Sequence, residues 1–194
     1  MKTLKVVAFN GSGRKDGNTA ILINRVFAKL QTEGIATEMI QLAGLPLPGC
    51  RACGGCKANK DRRCVIPGDA LNEYVQKMAE ADGIIFGSPT YFSDVTAELK
   101  ALIDRSGYVC MANGGLFRRK VGAAVVAVRR GGAIHAFDTI NHFFLINQMI
   151  VPGSCYWSFA MGREIGGVNQ DEEGLRTMDV LGENMAWLLK SLNA

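Results

Sequence analysis

The sequence predicts a doubly wound α/β fold: five parallel strands in the order 2-1-3-4-5, with helices on both faces. Three observations carry this. Apolar runs at residues 4–9, 36–42, 83–86, 121–128 and 151–159 read as strands, several of them near-continuous as expected of strands buried on both sides. Segments with helical spacing lie between them, and parallel strands need such crossovers. The chain has 194 residues, 48% hydrophobic and 21% charged, ordinary values for a globular protein that exclude a disordered or collagen-like chain. One domain over residues 1–194 is expected, with a cysteine-rich insertion loop at about 48–66.

The first strand, 4–9, ends in a glycine-rich turn, and residues 18–33 follow with Ile21, Leu22, Val26 and Leu30 at helical spacing before Gly34 supplies a stop. Residues 36–42 form the second strand. Asp69 is placed to cap a helix running to about residue 81, with Leu71, Tyr74, Val75 and Met78 on its inner face. The third strand, 83–86, runs into Gly87-Ser88-Pro89, and a helix over about 93–109 presents Leu99, Leu102 and Ile103. Strand four spans 121–128, a helix spans 134–148, strand five spans 151–159, and the closing helix lies within 171–192.

The formal charge is +4, a mild surplus that suits anionic small molecules. Arg118-Arg119-Lys120 and Arg129-Arg130 do not form the clustered basic face of a nucleic-acid binder, so none is expected as a partner. No stretch approaches the ~18 apolar residues of a membrane span. The N-terminal apolar run breaks at Asn10-Gly11, unlike a secretory signal, which points to the cytoplasm. There, six cysteines are read first for metal or redox chemistry.

In a doubly wound sheet, ligands bind beyond the carboxyl ends of the strands. After strand one comes NGSGRKDGNT, leading directly into a helix. Its glycines let backbone N–H groups turn inward, Ser12 and Thr19 offer hydroxyls, Arg14 can pair with an anion, and the helix N-terminus adds its dipole. This is a phosphate cradle, although a polar turn capped by Thr19 has the same composition. It matches neither GxxxxGK[ST] nor GxGxxG. After strand three, Pro89, Thr90, Tyr91 and Phe92 can cover a planar ring or simply pack as an apolar turn. After strand four, Arg129, Gly131 and Gly132 allow close backbone approach beside positive charge, or form a plain surface turn.

Cys50, Cys53, Cys56 and Cys64 read C-x2-C-x2-C-x7-C. Three thiolates at this spacing can wrap one face of a cubane, with the fourth closing it and Lys57 offsetting its negative charge. Zinc also takes four thiolates, usually as two separated pairs, and free redox-active thiols are the third reading.

These residues bring the chain to a family. GSGRKDGNT and GSPTYF resemble the phosphate and flavin-ring loops of the flavodoxin-like NAD(P)H-dependent FMN reductases, and the cysteine motif resembles their iron–sulfur flavoprotein branch. The likeness covers essentially the whole chain; Gly13 stands where many relatives carry proline. It implies a flavodoxin-like three-layer fold. It also implies FMN held at its phosphate by Ser12, Arg14, Asn18 and Thr19. Pro89, Thr90, Tyr91 and Phe92 would hold the ring, with Gly131 and Gly132 closing on it. The cysteine loop would carry a [4Fe–4S] cluster.

The expected activity is FMN-dependent electron transfer between a ferredoxin-type or NAD(P)H donor and a small-molecule acceptor, with no catalytic side chain required. A cluster-free FMN or quinone reductase and a non-catalytic electron carrier or redox sensor are the alternatives. The helix over 134–148, with Phe137, Phe143, Phe144, Leu145 and Ile146, carries more apolar surface than one core face needs, so a homodimer or homotetramer is expected through it. Cys110 and Cys155 read as core. His135 and His142 are spaced too far apart for one ion, and Tyr156 and Trp157 on strand five cover core or a subunit contact.

Overall fold

Two-residue periodicity in the apolar runs decides which side of the sheet each side chain serves. The computed structural model describes residues 3–193. Met1 and Lys2, the start of the run compared with a secretory signal, and Ala194 lie outside them. Strand β1 (Lys5–Asn10) pairs with β2 (Ala36–Gln41) and β3 (Gly83–Pro89), β3 with β4 (Val121–Val128), and β4 with β5 (Phe159–Met161). Every pair is parallel, and the order is β2-β1-β3-β4-β5, as the sequence predicts. The crossovers are helices α1 (Asn18–Thr32), α2 (Gly55–Asn59), α3 (Leu71–Glu80), α4 (Ala97–Ala112) and α5 (Ala133–Ile146); α6 (Glu172–Leu192) closes the chain after a short 3-10 turn at Gly167–Gln170.

Val7, Phe9, Ile84, Phe86 and Val126 point to one face and pack with Met78, Leu102, Ile140 and Phe144 from α3, α4 and α5. Val6, Ala8, Ile85 and Val125 point to the other and meet Leu22, Val26, Leu181 and Met185 from α1 and α6. Each fully buried side chain of this size contributes about 1.5–3 kcal/mol. The two layers hold the carboxyl ends of β1, β3 and β4 side by side, and that edge carries the site.

Five readings need correction. The helix after β3 begins at Ala97 instead of 93, because Tyr91 and Asp94 close a tight turn first: the Tyr91 N–H donates to the Asp94 carbonyl at 2.8 Å and the Asp94 N–H donates back at 3.0 Å. Phe92 and Ser93 sit at its tip with φ of 47° and 66°, and Thr96 then caps α4. Strand five is three residues long and starts at Phe159 instead of 151. Pro152 and Gly153 interrupt the run, since proline cannot donate to a ladder, leaving an isolated bridge between Val121 and Ile150. Tyr156 and Trp157 consequently lie in a loop, half exposed and edge to face at 4.6 Å. Cys155, expected in the core, is exposed for the same reason. Cys110 is buried, and that burial pushes its thiol upward in pKa. Finally, α3 is capped at Ala70, with Asp69 accepting from the Leu71 N–H at 3.0 Å while its other oxygen is engaged elsewhere. Among the described residues, no helix is long and apolar enough to cross a membrane.

Candidate functional site

The loop after β1 is held from three sides. Asn10, buried at the strand's end, accepts from the Ser12 N–H at 3.0 Å and donates to Gln41 Oε1 at 2.8 Å, while Gln41 donates to the Ser12 carbonyl at 2.5 Å. The Gly11 N–H donates to the Gly87 carbonyl and its own carbonyl accepts from Thr96 Oγ1, both at 2.8 Å. A Cβ on residue 11 would meet Thr96 Oγ1 at 2.9 Å, so only glycine brings the two loops this close. Ser12 Oγ accepts from the Arg14 N–H at 3.1 Å and tightens the turn into α1.

This loop borders a cleft of about 210 Å³ at the carboxyl edge of the sheet. Ser12, Arg14, Asn18 and Thr19 line it from the first loop, Pro89, Thr90 and Tyr91 from the second, and Arg129 from the third. Helix α1 opens onto it with no side-chain cap and no acidic residue in its first turn, so its N-terminal N–H groups present partial positive charge there. Arg14, Arg129 and Arg163, all exposed, add full charges. Thr19 Oγ1 and Thr90 Oγ1 are buried with no hydrogen-bond partner. A buried hydroxyl without a partner costs about 1–3 kcal/mol, and two lining one cleft mark where polar atoms of a ligand belong. A phosphorylated flavin, with an anionic end and a polar ring edge, fits this donor set.

Phe92, Gly131 and Gly132 lie outside the lining. Phe92 is fully exposed at the tip of the second loop. Gly132, at φ 86°, lets the third loop touch the second, where a Cβ would meet the Ser93 Cα at 3.0 Å. Asn18 lines the cleft, but its polar atoms are engaged: Nδ2 donates to the Gly162 and Glu164 carbonyls at 3.1 and 2.9 Å, and Oδ1 accepts from the Gly166 N–H at 2.8 Å. It therefore tethers a fourth loop, after β5, whose Gly162 and Arg163 complete the lining together with Ala127. Sequence reasoning missed Gly162 and Arg163 because strand five was read as ending at 159, which left the loop following Met161 without a strand end to follow.

The cysteine loop leaves the same edge after β2. Cys50 and Cys53 are exposed, Cys56 and Cys64 half-buried, and all four thiols are free. The set is not gathered: among the described residues, no three His, Cys, Asp or Glu side chains converge as a metal-holding group. Metal-ligand sets of this kind order as the metal binds. The number and chemistry of the thiols fit a thiolate-ligated cluster, as does the cationic company of Arg51, Lys57, Lys60, Arg62 and Arg63. Ala52, Lys60 and Arg62 adopt left-handed backbone, at φ 52°, 52° and 62°, conformations that cost of order 1 kcal/mol or more each and gather at functional loops.

Beneath the loop, the Arg105 guanidinium is fully buried against Asp69, Nη1 to Oδ2 at 2.6 Å. Burial opposes its charge, but the hydrogen bonds it donates to Asp69 and Cys64 raise its pKa above the ordinary value. His135 and His142 are exposed on α5 and join no such group.

A family profile described as NADPH-dependent FMN reductase matches residues 4–164. The chain is 40% identical to an iron-sulfur flavoprotein of Methanocaldococcus jannaschii over 96% of its length and 98% of that protein's. It is 31% identical to an iron-sulfur flavoprotein of Methanosarcina thermophila over 92% and 95% of the two lengths. A flavodoxin, WrbA-like protein from Agrobacterium tumefaciens superposes with a TM-score of 0.67 at 13% identity, covering 98% of this chain and 99% of that one, a likeness of fold. A profile that spans most of the chain, with a relative 40% identical along nearly its whole length, places the chain in the flavodoxin-like NADPH-dependent FMN reductase family, as an FMN-dependent oxidoreductase.

Proposed function

We propose that FMN seats in the cleft at the carboxyl edge of the sheet, and that a [4Fe–4S] cluster is held by Cys50, Cys53, Cys56 and Cys64, the protein moving electrons between a ferredoxin-type or NAD(P)H donor and a small acceptor. The observation that carries the flavin assignment is the pair of buried, partnerless hydroxyls, Thr19 Oγ1 and Thr90 Oγ1, beside the uncapped N-terminus of α1. The cluster assignment rests on the C-x2-C-x2-C-x7-C spacing and on the names of the relatives.

FMN supplies the redox chemistry when bound, taking up or giving one or two electrons. The chain's part is to bind and orient. Ser12, Arg14 and Thr19 would hold the phosphate at the α1 dipole, where charge-assisted hydrogen bonds are strong. Asn18 holds the fourth loop against it. Pro89, Thr90, Tyr91 and Arg129, which line the cleft, would hold the ring, while Phe92, Gly131 and Gly132 stand just outside the lining and would reach it only from the loop tips. No side chain has to move a proton for electrons to pass, so positioning is the protein's main contribution. Exposed Ile134, Leu145 and Ile146 on α5 support association with further copies, as a homodimer or homotetramer. The family's description favours NADPH as donor in a second reading, in which the thiols carry no cluster.

Protein purified without oxygen and assayed for FMN, iron, acid-labile sulfide and zinc separates these readings. One FMN with about four iron and four sulfide per chain is the expected result. FMN without iron would replace it with the cluster-free reductase, and zinc would make the loop a structural clip.

A further inference from the structure

Cys64 differs from the other three cysteines of its loop in how firmly it is held. Its N–H donates to Asn72 Oδ1 at 2.7 Å and its carbonyl accepts from Asn72 Nδ2 at 3.0 Å, so one side chain of α3 clamps its backbone on both sides. Its sulfur lies 3.3 Å from Arg105 Nη2, which donates to it. The sulfur of Cys50, by contrast, accepts from within its own turn, from the Ala52 N–H at 3.4 Å.

Arg105 is a fully buried side chain rising from the middle of α4. Its Nη1 donates to the Pro48 carbonyl at 3.1 Å and to Asp69 Oδ2 at 2.6 Å. One planar fork thus joins the entrance of the cysteine loop, its last cysteine and the start of α3. Nε of the same guanidinium is buried without a partner, which leaves a further N–H for an acceptor in this region. A buried arginine–carboxylate pair is a poor source of stability in itself, since burying both charges offsets most of their attraction. Its third contact, to a thiol sulfur, is the one that packing does not require.

We propose that Arg105 is a positioning residue that sets the reduction potential of the cluster through the Cys64 sulfur; this rests on the cluster reading above. Reduction adds an electron to a group that is already negatively charged. An N–H donor on a ligating sulfur stabilises that added charge and so raises the potential. Asp69 keeps the guanidinium oriented, and the Asn72 clamp keeps the sulfur within its reach.

The test is redox titration of the holoprotein, followed by the absorption of the cluster and by electron paramagnetic resonance, after iron has been assayed in each sample. Arg105→Lys keeps the charge but replaces the rigid fork with a point donor that Asp69 will hold. The expected result is an iron content like that of the unaltered protein and a cluster potential more negative by the equivalent of about a tenfold change in the one-electron equilibrium, about 59 mV. Arg63→Gln, which removes an exposed charge beside Cys64, should shift it much less, since solvent screens that charge. If Arg105→Lys fails to fold, the paired change Arg105→Gln with Asp69→Asn strands no buried charge and should show the same negative shift. A full iron complement with an unchanged potential in the variant that folds overturns the role of Arg105. Absence of iron from the unaltered protein overturns the cluster reading itself.

Discussion

Cys110 and Cys155 show residue-scale differences that composition hides. Cys110 is sealed on the inner face of α4, its sulfur accepting from the Phe117 N–H at 3.4 Å, and burial raises its pKa, which keeps it a protonated, unreactive thiol. Cys155 stands exposed in the loop before β5. Iodoacetamide applied to the native protein should therefore alkylate Cys155 and spare Cys110 until denaturant is added, as read by peptide mass spectrometry. Equal labelling of the two under native conditions would contradict the packing described. Ser12, Arg14, Thr19, Thr90, Tyr91 and Arg129 were legible as cleft residues because each follows a strand end in sequence, and topology brings strand ends together. Asn18 was legible as a cleft residue but not as a tether, since the groups it binds lie 144 to 148 positions away.

At the scale of elements, long apolar strands could be read and short or interrupted ones could not. The third and fourth strands announce themselves by near-unbroken apolar runs, whereas β5 is only three residues at the end of a longer run that Pro152 and Gly153 interrupt. The start of α4 was displaced by a turn whose left-handed residues, Phe92 and Ser93, are not types that signal one. Strand β2, at the sheet's edge, carries its own electrostatic prediction. Glu38 sits between Lys5 Nζ at 2.7 Å and Lys77 Nζ at 2.6 Å, and the hydrogen bond from Lys5, then that from Lys77, lowers its pKa. A carboxylate whose pKa is lower folded than unfolded adds stability above its unfolded value, and that stability is lost as pH falls through the folded one. Partial exposure limits the effect to about 0.5–1 kcal/mol. Glu38→Gln should accordingly lower the melting temperature at neutral pH by a few degrees and leave the difference smaller near pH 3. A difference that instead grew towards acid would contradict the assignment.

At the scale of the whole molecule, fold class followed from strands and helices in alternation, because parallel pairing, crossovers and two buried faces leave few topologies. The cleft is a collective product of that topology: four loops, each unremarkable alone, surround two partnerless hydroxyls and one uncapped helix. The cysteine motif was legible as a ligand set, but not its geometry, which depends on what binds it. The central claim is that the cleft recognises a flavin through its phosphate. Titrating flavin-free protein with FMN and with riboflavin, followed by flavin fluorescence, tests it most directly. FMN should bind at least about 100-fold more tightly, as two or more charge-assisted hydrogen bonds would give, and Thr19→Val should narrow that gap without lowering the melting temperature. Equal affinities for FMN and riboflavin, or a gap that Thr19→Val leaves intact, would contradict the account.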